Sequence, residues 1–415
     1  MSSMDVRTDF DFIETLNPWW EKKTFKYDVF NRPAYLREIM DRKDRLIDIL
    51  IGARRVGKTY ILYSVVNRLL KHGISPKKII FLSADLREVK EAGLRQIITD
   101  VIKLNKCKIG DSLHILVDEI QELDNWQSDL KTLYDHTKIK FYISGSSSLI
   151  LTQKTSKLTG RYFLQKILPL SFSEFLNFNG VVVSRLSKNK KKNLLEEYLK
   201  KGGYPEFVLK NNQTYLKQAI ESTLYRDLLS LYGIRNPVIL EDLLYYLADK
   251  ITTPVSAKRI QKDLKIDDET AKFYLKYLES VYLVYPVYRK GRSNRISRSS
   301  NPKYYFNDTG VLSLMSIRPR IGHLVENAVF LELLRRESLR EKYRIYYEIF
   351  DDLEIDFECK DGLFEVKTGM KLDGKILERY DFINKKINVV SMNILKKIKD
   401  FSANVKLIEL GDFLR

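Results

Sequence analysis

Two cysteines, Cys107 and Cys359, in 415 residues are too few for a disulfide framework or a thiolate zinc site. A reducing compartment is implied, and the cytoplasm is expected. The chain also lacks any run of about 18 apolar residues, which argues against a membrane-spanning helix and a membrane partner. Its first residues include Asp5, Arg7, Asp9 and Asp11 ahead of any apolar stretch, unlike the basic-then-apolar plan of a secretory leader. No repeat recurs at solenoid periods. Acidic residues are in short supply: 54 Asp and Glu against 72 Lys and Arg leave a net charge of +18. With a pI near 9.5, a polyanion is the natural partner, because neutralising phosphates releases counterions.

What is present is globular: 44% hydrophobic and 30% charged residues exclude a disordered chain. The length calls for two to four domains. Residues 1–30, with Asn17-Pro18-Trp19-Trp20, read as an aromatic extension that packs on the next domain. Over 31–170 the apolar runs Ile47 to Ile51, Ile79 to Leu82, His114 to Val117 and Lys140 to Ile143 alternate with helical patterns, which predicts a doubly wound α/β domain with a parallel sheet. Residues 171–235 read as a helical lid or connector, broken at Gly202-Gly203-Tyr204-Pro205, with Ser187 to Lys192 as an exposed loop or solvated helix start. In 236–317 three helical patterns, with Ser256 and Asp268 as N-caps, precede Tyr282 to Tyr285 and Lys303 to Phe306, the plan of a winged helix. In 318–415 a helix from Gly322 leads into short strands at Arg344 to Tyr347, Leu353 to Glu358 and Leu363 to Lys367, the plan of a small α/β domain.

The chemistry begins at Gly52-Ala53-Arg54-Arg55-Val56-Gly57-Lys58-Thr59, which fits G-x-x-x-x-G-K-[ST] with a buried strand before it and an amphipathic helix after it. Gly52 and Gly57 let the loop curl so that backbone N–H groups, from Arg54 through Tyr60, face the phosphates of ATP. Lys58 would reach the β/γ-phosphates and Thr59 would ligate Mg²⁺. The run Leu113 to Val117 ends in Asp118-Glu119, with Asp118 a second Mg²⁺ ligand and Glu119 the group that polarises the attacking water.

Together with Asp118-Glu119-Ile120-Gln121 and Trp126, Ser144-Gly145-Ser146-Ser147, Gly160-Arg161 and Pro169 to Phe175, this loop resembles an ATPase family of the AAA+ superfamily over roughly residues 30–370. Those archaeal and bacterial ATPases carry a C-terminal domain of unknown function. The resemblance implies a polar sensor at Ser144 or Ser146 and a transition-state arginine at Arg161, acting in its own subunit or in a neighbouring copy of a homo-oligomer.

Between the last helix and Lys303 stand Arg289, Lys290, Arg292, Arg295 and Arg298 with no acidic residue among them. Such a wing would track a DNA backbone while Lys272, Lys276 and Tyr277 of the preceding helix face a groove. The same residues also suit a solvated loop on a module that binds a protein partner. Further on, Asp356 and Glu365-Val366-Lys367 resemble the core of the PD-(D/E)xK nuclease superfamily, although no proline precedes Asp356. That resemblance implies a metal held by Asp356 and Glu365, with Lys367 activating water and Glu326 as an added helical ligand.

An Asp361-Gly362 turn would set Asp356 opposite Lys367 and Glu358 opposite Glu365, all on one face, with Val366 in the core. The combined expectation is an ATPase that controls DNA binding and metal-dependent cleavage. The alternative is a slow nucleotide-dependent switch or scaffold that cuts nothing.

Overall fold

The computed structural model describes residues 10–21, 32–42, 44–108, 110–145, 155–182, 186–232, 238–291, 300–337, 344–368, 379–380, 382–392 and 404–415. Ser146, Arg292, Arg295 and Arg298 lie outside them. The chain forms two compact units, Met1–Ala53 with Gly57–Ile167, and Arg54–Val56 with Leu168–Arg415.

The first unit is a five-stranded parallel sheet in the order β2-β3-β4-β1-β5. Its strands are β1 (Ile47–Ile51), β2 (Ile79–Ser83), β3 (His114–Asp118), β4 (Lys140–Gly145) and β5 (Tyr162–Lys166). Continuous apolar runs suit strands covered on both faces. Asp48 is the exception within β1, and it is buried between Lys140 at 2.8 Å and Arg42 at 3.2 Å. The aromatic extension closes the β2 edge. Asn17 bonds both the N–H (2.7 Å) and the C=O (2.9 Å) of Phe81, and the indoles of Trp19 and Trp20 each donate to Ile79 O at 2.9 Å. An open strand edge is thereby paired.

The second unit opens with the helix Phe172–Phe178, whose start explains part of the Pro169 to Phe175 motif. Ser171 Oγ accepts from Glu174 N–H while Glu174 Oε2 accepts from Ser171 N–H, a capping box. The Lys-rich stretch is a helix start, with Ser187 capping Lys188–Lys201. The Gly-Gly break has a packing cause. Asp308 is buried and accepts from the N–H groups of Gly203 (2.6 Å), Gly310 (2.8 Å) and Val311 (3.1 Å). At Gly202, where φ is +77°, a Cβ would lie 2.0 Å from Asp308 Oδ1, so only glycine fits.

Helices Val238–Asp249, Ala257–Leu264 and Asp268–Ser280 then precede β6 (Val284–Arg289) and β7 (Lys303–Phe306), which pair antiparallel. Ser256 caps the second helix. The third is capped by Asp267, one residue before the expected Asp268, because the Asp267 carboxylate meets Thr270 N–H at 2.8 Å.

This strand pair is not free-standing. β6 also pairs in parallel with β8 (Tyr346–Phe350), so both join β9 (Leu353–Cys359), β10 (Gly362–Lys367), β11 (Ile387–Ser391) and β12 (Val405–Glu409) in one sheet of order β12-β11-β10-β9-β8-β6-β7. β5, β11 and β12 carry no sequence expectation.

Candidate functional site

In a parallel α/β sheet, ligands sit beyond the carboxyl ends of the strands. Gly52 follows β1, Asp118 ends β3 and Ser144 is the penultimate residue of β4. The strand order therefore brings the loop and both polar groups to one edge. Gly57 takes φ +96° and caps the helix Lys58–Lys71, turning its first N–H groups toward the loop. Lys58 is buried and folds back on the loop, donating to Gly52 O at 3.0 Å and Ala53 O at 2.9 Å. Val56 is buried, Arg54 is half-buried, and Arg55 and Tyr60 are exposed.

Thr59 Oγ1 donates to Asp118 Oδ2 at 2.6 Å and Ser144 Oγ bonds Asp118 Oδ1. Burial, and then the neighbouring Glu119 charge, raise the Asp118 pKa, against which the two hydroxyls and Lys58 act. A threonine hydroxyl and a carboxylate side by side are hard oxygen donors, which suits Mg²⁺. Thr59 and Asp118 would hold that ion, and when bound it would neutralise charge on the phosphates.

Glu119 sits at φ 53°, a left-handed conformation unusual for a non-glycine residue. Its N–H donates to Ser144 Oγ at 3.2 Å and its carboxylate accepts from Gln121 Nε2. The sequence marks Gln121 only as part of a motif. Its contact with the proposed water-polarising group is visible only once the turn after β3 is folded.

Arg161 is at the other end of the sheet. Its C=O accepts from Ile47 N–H at the start of β1, while its guanidinium grips Asp135 at 2.8 and 3.1 Å. The length of β1, about 13 Å at the usual rise per residue, separates it from Gly52. Its guanidinium is thus held away from the loop of its own chain. At the correct end stands Lys166, in register with Ile51, and burial pushes its pKa down to about 8. No motif signals it.

The C-terminal hairpin differs from its expected register by two residues. Gly362 takes φ +118° as the first strand residue and pairs with Cys359, so Lys360-Asp361 forms the turn and Leu363 faces Glu358. A shift of two keeps every side chain on its face. Asp356 thereby moves from Lys367 to Glu365: its N–H donates to Glu365 Oε2 at 3.4 Å, and its Oδ2 accepts from Val366 N–H at 2.8 Å. Lys367 Nζ pairs with Glu365 Oε1. Val366 is half-buried and Glu365 is buried, contrary to expectation, because the helix Ile321–Glu337 covers the carboxylate-bearing face of β10.

From that helix Glu326 accepts from Tyr305 OH at 2.7 Å. Burial, and then the Asp356 charge, push Glu326 up to about 8 and Glu365 up to about 7. The donors are all oxygens, as a hard cation requires. Among the described residues, however, no group of three or more His, Cys, Asp or Glu side chains is arranged to hold a metal ion.

The basic stretch is partly spent inside the fold. Lys290 pairs with Glu358 and Lys303 is buried against Glu354 at 2.6 Å, while Lys272 pairs with Asp268 on the helix surface. Tyr277 faces the core and donates to Thr223 O at 2.7 Å, so it does not read a groove. Lys276 and Arg289 are exposed, and Lys272 keeps an exposed side chain. Among the described residues no helix is long and apolar enough to cross a membrane.

The fold and the first of these sites define a P-loop nucleotide-binding protein with an AAA-type domain, and residues 44–176 match the AAA domain family. Residues 192–320 match a domain of unknown function (DUF8612). The chain belongs to the same family as the uncharacterized protein MJ1544 of Methanocaldococcus jannaschii, with 30% identity over 346 residues, 80% of this chain and 75% of that protein. An uncharacterized protein of Haemophilus influenzae is 27% identical over 383 residues, 89% of this chain and 94% of its own length. Among solved structures, AMPPCP-bound DnaA from Aquifex aeolicus is 18% identical and covers 64% of this chain and 92% of that chain, with a TM-score of 0.31. At that score the likeness bears no argument, and the fold stands on its strand order.

Proposed function

We propose that the chain binds and hydrolyses ATP with Mg²⁺ and uses the nucleotide cycle to govern DNA handling by its second unit. The observation that carries the first part is the cluster at one sheet edge, where Thr59 and Asp118 bond each other, Ser144 bonds Asp118, and Glu119 comes directly after. Lys58 would leave the loop carbonyls for the phosphates, and Glu119 would take up the attacking water. Arg161 would serve a phosphate only across an interface between copies of a homo-oligomer.

For the second part, Lys272, Lys276 and Arg289 would contact DNA phosphates, with cleavage at Asp356, Glu365 and Lys367. Duplex affinity measured at several salt concentrations tests the contact. Affinity should fall steeply with salt, and Lys276→Ala and Arg289→Ala should each lower the log–log slope by about one. Salt-independent binding would favour the second reading, a nucleotide-dependent switch that engages a protein. That reading draws on the ion pairs that consume Lys290 and Lys303, and on the lack of a three-ligand metal group among the described residues.

A further inference from the structure

Lys303 is 1% exposed, on a strand whose flanking loop belongs to the basic stretch, and it is a cation that no nucleic acid can touch. Burying an ammonium is costly unless it is paired. Its neighbours explain how the cost is met. Side chains two apart on a strand share a face, so Lys303 and Tyr305 project together from β7, and Glu354 and Asp356 project together from β9. The two strands meet where Lys303 Nζ lies 2.6 Å from Glu354 Oε1, while Tyr305 OH donates to Glu326 Oε1 of the helix Ile321–Glu337 at 2.7 Å. The ammonium also lies over the Tyr347 ring at 5.1 Å on β8.

β7 is the outermost strand at its end of the sheet, three places from β9. The sheet must therefore curl until the hairpin closes against the carboxylates. The fields of Glu326, Asp356 and Glu354 outweigh the burial that would lower the Lys303 pKa, and they hold it above the ordinary lysine value. Buried ion pairs contribute little net stability compared with apolar packing. The charge itself is what Lys303 supplies to this cluster.

We propose that Lys303 is a positioning residue of the C-terminal site, an internal counter-ion that neutralises Asp356 and Glu326 and that an entering divalent cation must work against. Strand β7 thereby belongs to this site. Lys367 plays the matching part on Glu365, so two ammonium groups stand among four carboxylates, Glu326, Glu354, Asp356 and Glu365. The proposal rests on the reading of Asp356 and Glu365 as a divalent-cation site.

The test is Mn²⁺ affinity of the full chain at fixed pH, read from the free-ion paramagnetic resonance signal, with a melting curve on each variant. Lys303→Met removes the opposing charge and should tighten Mn²⁺ about tenfold, whereas Lys303→Arg should keep the parent affinity. Glu354→Gln, at a partly exposed position, leaves the Lys303 charge directed at Glu326 and Asp356 and should weaken binding several-fold. Lys290→Met removes an equal charge paired elsewhere, with Glu358, and should change affinity less than twofold. If Asp356→Ala loses Mn²⁺ but Lys303→Met binds as the parent does, the counter-ion role is overturned while the metal site stands. The role also fails if Lys290→Met tightens binding as much as Lys303→Met. Absence of Mn²⁺ binding in the parent overturns both.

Discussion

Lys58→Ala is expected to weaken ATP binding about 100-fold, equivalent to ~2.7 kcal/mol. Lys58 is buried against the carbonyls of Gly52 and Ala53, to which it donates. A charge-assisted contact with phosphate is stronger than either carbonyl contact, so the side chain has a driving force to move onto nucleotide. Titration of a fluorescent ATP analogue into both proteins measures the change. The loss should appear without a change in fold, since the helix Lys58–Lys71 holds its place through Ile61, Leu62, Val65, Val66 and Leu69.

The nucleotide site is legible in sequence because it is local. Gly52 to Thr59 sit on one strand–loop–helix, and Asp118-Glu119 end the next motif strand, so spacing alone names them. Parallel strand order then brings the two together with no further information. Ser144, one of two alternatives in the motif, bonds Asp118 and Glu119 N–H, while Ser146 lies outside the described residues.

Arg161 illustrates the opposite case. The motif names it, but which end of the sheet it occupies depends on β5 pairing with β1 in parallel, and β5 has too few buried positions to be read as a strand. Lys303 and Glu326 show a third kind of limit. One looks like part of a wing and the other like a helical addition, and the approach of β7 to both neighbours, Lys303 to Glu354 and Tyr305 to Glu326, depends on the curl of a seven-stranded sheet, which no local pattern encodes. The expected hairpin register misses by two because Asp361-Gly362 is a good turn pair on paper, while the fold uses Gly362 as a strand residue.

Asp356→Ala and Lys367→Ala are each expected to reduce Mg²⁺- or Mn²⁺-dependent DNA cleavage by about 10³-fold or more while sparing ATP turnover. Removing Asp356 takes away a proposed metal ligand and the acceptor for Val366 N–H. Removing Lys367 leaves Glu365, already pushed up to about 7, without its cation. The ATP site uses none of these residues, so the two activities should separate. An assay on single-stranded, duplex and branched DNA, with and without ATP, gives both readouts. Parent protein that turns over ATP and cuts no substrate would leave the switch reading in place.

Asp118-Glu119 and the loop are proposed to form one hydrolytic ATP site, which ATP affinity and turnover of the parent chain beside Glu119→Gln tests. The amide keeps the shape of the side chain but is no base, so binding should stay within about twofold and turnover should fall about 10²–10⁴-fold. Undiminished turnover in Glu119→Gln, or a parent chain that binds no ATP, would contradict the account.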